Sequence, residues 1–337
     1  MLKPLRAVVT VLVLAVSLGW GGCSRGSDGL VIYSGRNKNL VGPLLERFER
    51  DTGVDVRIKY ADTGESLATL LEEGESTDAD VFLSQDAGAL GILAERGRLV
   101  ELPPDLLDLV DSRFRHGGGR WIGVTGRARV IAFNTAMLQA SDVPDDVLDV
   151  VDPKWQGKVG FPPTNASFIA FVAALRERIG PDRTRAFLEG LRNNGAKRYD
   201  NNILTLNAIA NGEIQLGLVN HYYLHAELKE RKDAPVANHY PGQEAGQEGT
   251  FVNVSGVGIV NGTDRPEDAD RFVRYLLDRG AQEFFRDETA EYPMRKGIDP
   301  IPELPPLERL RTYDIQLSAI GDDLEAAVQL IKDVGLS

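Results

Sequence analysis

The sequence predicts an α/β protein built as two lobes, and three observations predict it. A β-α-β-α-β order runs from Leu30 to Glu95. The pattern changes near Trp121, and a second α/β alternation then extends to Leu277. A chain of 337 residues is also long enough for about two domains.

Leu30 to Tyr33 reads as a brief apolar strand that ends in Ser34-Gly35-Arg36-Asn37. Leu40, Leu44, Leu45 and Phe48 recur at helical spacing, which predicts a helix up to Thr52. Val54 to Tyr60 alternates as a strand, and Glu65 to Glu73 reads as a helix. Asp80-Val81-Phe82-Leu83 is a short buried strand before a helix from Ala87 to Glu95. Strands separated by helices imply a parallel sheet, whose ligands sit beyond the carboxyl ends of the strands. Here those ends are residues 34–37, 61–65 and 84–86.

Ile122 to Thr125 and Arg129 to Phe133 read as two strands separated by Gly126-Arg127-Ala128. A strand near Lys158 to Phe161, helices Phe168 to Ile179 and Asp182 to Leu191, and a strand Glu213 to Val219 follow. Val252 to Val260 returns as a strand ahead of a helix Pro266 to Leu277, and Ser318 to Val334 is amphipathic. The expected organisation is a leader at 1–22, a tether at 23–29 and an N-terminal lobe at 30–126. A C-terminal lobe at 127–254, a return to the first lobe at 255–300 and closing helices at 301–337, packed on the lobes, complete it.

At 42% hydrophobic and 26% charged, the composition is that of a soluble globular protein with a substantial core. Lys3 and Arg6 precede a stretch, Ala7 to Leu18, that is apolar apart from Thr10 and Ser17. This reads as a secretory leader, shorter than a membrane span needs. Cys23 is the single cysteine, so no intramolecular disulfide forms. Its place after Gly21-Gly22 resembles a bacterial lipobox, in which the cysteine is lipidated and tethers the folded body to a membrane from outside the cytoplasm. Trp20 departs from the aliphatic residue usual there, and the alternative is an ordinary secretory leader with a spare thiol. Losing the leader takes the formal charge from −12 to about −14. Phosphate binding needs clustered Lys and Arg, so nucleic acid is not an expected partner.

The most informative segment is Asn220-His-Tyr-Tyr-Leu-His225. The apolar run at 213–219 precedes it and a helical pattern over 224–232 follows, with Asn220 as the expected N-cap. Tyr222 and Tyr223 at a helix start lie about 100° apart rather than on opposite faces. Two phenols can therefore converge on one small object, near a helix terminus that favours negative charge. The plainer alternative is a pair of aromatic residues packed at a helix end.

Five motifs together resemble the ferric-iron-binding proteins of bacterial ABC importers, within the type II periplasmic-binding fold. They are Val31-Ile-Tyr-Ser-Gly-Arg36, Asp80-Val-Phe-Leu-Ser-Gln-Asp-Ala-Gly88, Gly126-Arg-Ala-Arg-Val130, Val219-Asn-His-Tyr-Tyr-Leu224 and Asn253-Val-Ser-Gly-Val-Gly258. The resemblance implies two lobes around a cleft, Tyr222 and Tyr223 as ligands of Fe3+, and a synergistic anion such as carbonate or phosphate. It places the anion at Asn165, Ala166 and Ser167, with Asn202 and Asn220 helping to hold it. It also implies a permease and a separate ATPase as partners, and a monomer that takes up ferric ion or a ferric chelate. The chemistry agrees: Fe3+ is hard and prefers oxygen donors, and a trivalent cation beside a phenol promotes its ionisation.

The chain departs from its relatives in the facing lobe. Asn37 stands where some have a ligating histidine, and Lys38 where others have tyrosine. Gln85, followed by Asp86, replaces a carboxylate, and Phe133 replaces a third tyrosine. Asn37 and Gln85 are therefore expected as weak oxygen ligands or as anion-binding groups. Lys38 is placed to offset anion charge, and Arg36, Arg127 and Arg129 are candidates for the same work or for ion pairs.

His221 and His225, at i and i+4, have a spacing that suits zinc, which makes a secreted metal-dependent enzyme the remote alternative. His116 and His239 read as surface or loop residues. The chain carries no nucleophile elbow, Walker A motif or dinucleotide fingerprint, so an enzyme is not expected. A nearer alternative keeps the fold and exchanges iron for a small organic or phosphorylated solute.

Overall fold

The computed structural model describes residues 29–337. The expected leader, the lipidation site Cys23 and the tether up to Asp28 lie outside the described residues. The strands are β1 (Leu30–Ser34), β2 (Val56–Tyr60), β3 (Val81–Ser84), β4 (Ile122–Asn134), β5 (Val159–Phe161), β6 (Lys197–Arg198), β7 (Leu216–Asn220), β8 (Val236–His239), β9 (Val252–Ile259) and β10 (Tyr292–Pro293). The helices are α1 (Lys38–Thr52), α2 (Thr63–Glu73), α3 (Ala87–Glu95), α4 (Pro104–Leu107), α5 (Ala166–Ile179), α6 (Pro181–Asn193), α7 (Asn202–Ala210), α8 (Tyr222–Glu230), α9 (Pro266–Leu276), α10 (Arg279–Phe284) and α11 (Ile320–Asp333).

The strands run in the order β2-β1-β3-β9-β4-β7-β5-β6, with β8 and β10 attached to β4. Both ends of this order are parallel, β2-β1-β3 and β7-β5-β6, as expected of strands joined through helices. The central β4 is antiparallel to its neighbours and is shared between the lobes. Its residues from Ile122 to Ala128 pair with β9, and those from Arg129 onward pair with β7 and β8.

Gly126-Arg127-Ala128 was expected to separate two strands, but β4 runs through it unbroken. Gly126 faces Val254 in the ladder, and a Cβ there would stand 2.4 Å from the Met294 side chain. Its glycine serves close packing rather than a turn. Because side chains alternate along a strand, Arg127 and Arg129 leave β4 on the same face.

The expected helices over 40–52, 65–73, 87–95, 168–179, 182–191 and 266–277 all form, with no end moved by more than two residues. Helix α7 was not anticipated: Asn-Ile-Leu-Thr-Leu-Asn-Ala-Ile-Ala is apolar on most sides and carries little helical periodicity. Asn201 caps it, its side chain accepting from the Leu204 amide at 2.9 Å. Helix α11 packs against both α3 and α5. On α3 the approach is backbone to backbone, since a Cβ on Gly321 would lie 2.5 Å from the Gly88 carbonyl oxygen. On α5 it is secured by Arg176 Nε to Asp323 Oδ1 at 2.9 Å.

Candidate functional site

Three helices begin at one small cavity of about 120 Å³. Its wall includes Gln85 and Asp86 before α3, Asn165, Ala166 and Ser167 at the start of α5, and Asn220, Tyr222 and Tyr223 at the start of α8. Arg127, Ala170, Phe251 and Asn253 complete it. Helix N-termini present unpaired amides and positive potential, so their convergence favours a negatively charged occupant. A larger groove of about 1020 Å³ runs past Arg57, Asp78, Asp80 and Glu267. It lies by the amino ends of β2 and β3, away from the carboxyl ends where open α/β sheets bind ligands. Among the described residues no group of three or more His, Cys, Asp or Glu side chains is arranged to hold a metal ion.

The tyrosine pair opens α8 rather than preceding it. The rings of Tyr222 and Tyr223 lie 4.3 Å apart, centroid to centroid, and 32° from parallel. Burial pushes the Tyr222 phenol well above its ordinary pKa, and the neighbouring Tyr223 adds to that rise. The Tyr222 phenol is therefore neutral at physiological pH.

Asn220 does not cap α8. It is the last residue of β7, directly opposite Arg129 in the ladder, and its Oδ1 accepts from Arg129 Nη1 at 3.2 Å. The cap position falls on His221, which has helical backbone angles and makes no side-chain cap bond. The long-range partner has taken the oxygen that a local cap would use.

His221 is buried, and both of its ring nitrogens are occupied. Nδ1 accepts from the Ala128 amide at 3.1 Å, and Nε2 lies 2.9 Å from the Ala290 carbonyl, to which it donates. Burial lowers its pKa to about 4, so the ring is neutral. The remote alternative of a zinc pair with His225 is overturned, because His221 has no nitrogen left for a metal. His239, read above as a surface or loop residue, lies in β8 opposite Ile131 and is partly buried.

The loop at the start of α5 is knitted from within. Asn165 caps α5, its Oδ1 accepting from the Ser167 amide at 3.1 Å, the Ser167 hydroxyl at 2.6 Å and Asn202 Nδ2 at 3.1 Å. Asn202 is buried behind the wall and bonds the loop rather than facing the cavity. The Ser167 hydroxyl, expected as an oxyanion donor, gives its proton to Asn165 instead. Arg129 Nη1 reaches Ser167 Oγ at 3.3 Å and Asn202 Oδ1 at 3.1 Å.

In the facing lobe, Asn37 is exposed and caps α1 by accepting from the Asn39 amide at 2.8 Å, so it does not reach the cavity. Lys38 is exposed beside it. Phe133 is buried in β4 between Leu216 and Ala237. Gln85 does line the cavity, where its Oε1 accepts from Arg36 Nη1 at 3.2 Å and its carbonyl accepts from Arg127. Asp86 caps α3 by accepting from the Ala89 amide at 3.1 Å, and burial raises its pKa.

Arg36 is buried and held by Glu291, a residue that sequence reasoning missed. Burial alone would lower the Arg36 pKa, but the Glu291 carboxylate reverses this and raises it. Arg36 is thus committed to a partner in the protein and stands outside the cavity wall. Arg127, which lines the wall, is pulled below its usual pKa by burial against the opposing effect of Glu291. The signal for Glu291 in the sequence was slight: one acid before the apolar Tyr292-Pro293, with its partner far away in the chain.

A family model for bacterial extracellular solute-binding proteins matches residues 76–315. The chain is 28% identical over 333 residues to the Fe(3+)-binding periplasmic protein of Serratia marcescens, covering 97% of each. Its structure is similar to that of iron-bound HitA from Pseudomonas aeruginosa, with a TM-score of 0.83 at 32% identity over 91% of this chain and 99% of that one. It is also similar to a Trichodesmium protein in complex with iron and citrate, with a TM-score of 0.81 at 28% identity over 91% of this chain and 99% of that one. The fold these structures share is the two-lobed, type II periplasmic-binding architecture.

Proposed function

Since the chain belongs to the bacterial extracellular solute-binding proteins, we propose that it captures ferric iron outside the cytoplasm and hands it to an ABC importer. The observation that carries this reading is the stacked Tyr222 and Tyr223 pair at a cavity where three helices begin. A relative named for Fe(3+) and a similar structure described as iron-bound support it.

In this reading Tyr222 and Tyr223 supply two phenolate oxygens to Fe3+, which is the cargo. Hard oxygen donors suit the ion, and a trivalent charge beside a phenol favours its ionised form. Two phenolates leave one positive charge, so a synergistic anion completes the site. Carbonate, phosphate or a carboxylate chelator sits against the positive end of α5, beside Asn165, Ala166 and Ser167, where the Asn165 and Ser167 amides stay bonded within the loop. Asn202 and Asn220 support that loop from behind, and Arg127 and Gln85 face it from the other side. Arg36 acts indirectly, by fixing Gln85. Asn37, exposed and capping α1, is given neither the ligand nor the anion-binding part.

Two lobes sharing β4 and β9 close around the ion by hinge bending, and the closed form docks on a permease served by a separate ATPase. Lipidation at Cys23 tethers the protein, which works as a monomer. The test is iron retention. Protein mixed with a weak ferric chelate in carbonate, phosphate or citrate buffer should leave gel filtration with about one iron per chain. No retained iron in any of the three buffers sinks the proposal.

A further inference from the structure

Arg129 is a buried cation with no anion to balance it. Its residue is 2% exposed, and no described carboxylate forms an ion pair with it. Arg36, by contrast, has Glu291. Nη1 of Arg129 serves Ser167, Asn202 and Asn220 at once, all through neutral oxygens. Nε and Nη2 are buried without any hydrogen-bond partner. The guanidinium carbon lies 5.4 Å from the Phe168 ring centre and 5.7 Å from that of Phe171. Burial lowers its pKa to about 9, with the Tyr223 and Tyr222 phenols acting in the opposite direction. At neutral pH the group is therefore still charged.

Leaving a guanidinium buried and unpaired is among the costlier arrangements a fold can hold. The three side chains that Arg129 holds belong to the anion loop and to the strand end that leads into the tyrosine pair. We infer that Arg129 is a positioning residue for the bound oxyanion: it fixes Ser167, Asn202 and Asn220, and its counter-ion arrives with the ligand. This rests on the proposed oxyanion at the start of α5. In the ligand-free protein the uncompensated charge opposes stability, and an oxyanion in the cavity relieves it. Anion binding is thereby coupled to stability through one side chain.

Two substitutions separate this from a purely structural role. Methionine in place of Arg129 fills similar space between Phe168 and Phe171 without charge. Arg129→Lys keeps the charge and loses the planar fork. The readout is Tm without iron, in chloride and in phosphate or carbonate at matched ionic strength. The native chain should gain roughly 5 °C or more when the anion exceeds its Kd about 100-fold. Arg129→Met should match or exceed the native Tm in chloride, lose most of the anion-induced gain, and bind ferric iron at least about ten-fold more weakly. Arg129→Lys should recover part of the gain. An anion response in Arg129→Met equal to the native one overturns the inference. So does loss of the response in both variants together with a fall in Tm in chloride. A native chain that retains iron but shows no anion response overturns the Arg129 role alone. One that retains no iron in any buffer overturns the proposed function as well.

Discussion

Arg36 and Glu291, 255 positions apart, meet in a buried two-pronged ion pair, Nη1 to Oε1 at 3.0 Å and Nη2 to Oε2 at 2.6 Å. The pair ties the loop after β1 to the segment entering β10. Through Gln85 it also sets one wall of the cavity. Thr289 Oγ1 adds a further donor to Glu291 at 3.2 Å.

Removing one partner leaves the other charge buried. Glu291→Gln is expected to cost about 3–5 kcal/mol, read by urea denaturation at neutral pH. Burial alone would raise the Glu291 pKa, but Arg36 overcomes it and the net shift is downward. A carboxylate whose folded pKa is depressed contributes its full stability above its unfolded pKa of about 4.3 and loses it as pH falls through the folded value. The native protein should therefore lose this contribution only below the ordinary carboxylate range. Glu291→Gln should lack that share of the acid sensitivity. A variant as stable as the native chain, with an unchanged acid limb, contradicts the assignment.

Ala290, next to this pair, has φ 55° and ψ 24°, the left-handed region that alanine adopts at a cost of roughly 1–2 kcal/mol. Among the described residues no other non-glycine residue has a positive φ. The conformation lets the Ala290 carbonyl meet His221 while the next side chain turns to Arg36. Ala290→Gly should raise stability by up to about 1 kcal/mol with iron retention unchanged. A loss of stability would show that the methyl group matters more than the backbone.

Helix α11 joins α3 and α5, two of the three helices that start at the cavity. Gly91→Ala would drive a Cβ to 2.5 Å from the Ser318 oxygen and 2.9 Å from its Cα, both backbone atoms with little freedom to yield. A loss of about 1–3 kcal/mol is expected in thermal or urea unfolding. A neutral result would mean that the C-terminal segment moves aside without cost.

What the sequence made legible follows the range of each interaction. The expected bounds of α3, 87–95, matched because its cap, Asp86, is local and its apolar run has no competitor. The tyrosine pair was visible because a strand pattern gives way to a helical one across it. Asn220 was misassigned because a cap can be read from neighbours, whereas its bond to Arg129 depends on the pairing of β7 with β4. Asn37 is the opposite case: a local cap on α1 holds a side chain that stands where some relatives have a ligating histidine. Glu291 and the three-way role of Arg129 Nη1 depend on residues far apart in the chain, and no periodicity announces them.

The central claim, that Tyr222 and Tyr223 ligate ferric iron, is tested most directly by the visible absorption of the purified protein with ferric ion and carbonate, phosphate or citrate. The native chain should develop a phenolate-to-iron charge-transfer band. Tyr222→Phe and Tyr223→Phe should each weaken and shift it and lower iron affinity by at least about 100-fold, more than an outer-shell change would. The double variant should show no band. A native protein without the band in all three anions, or a double variant that keeps it, would contradict the account.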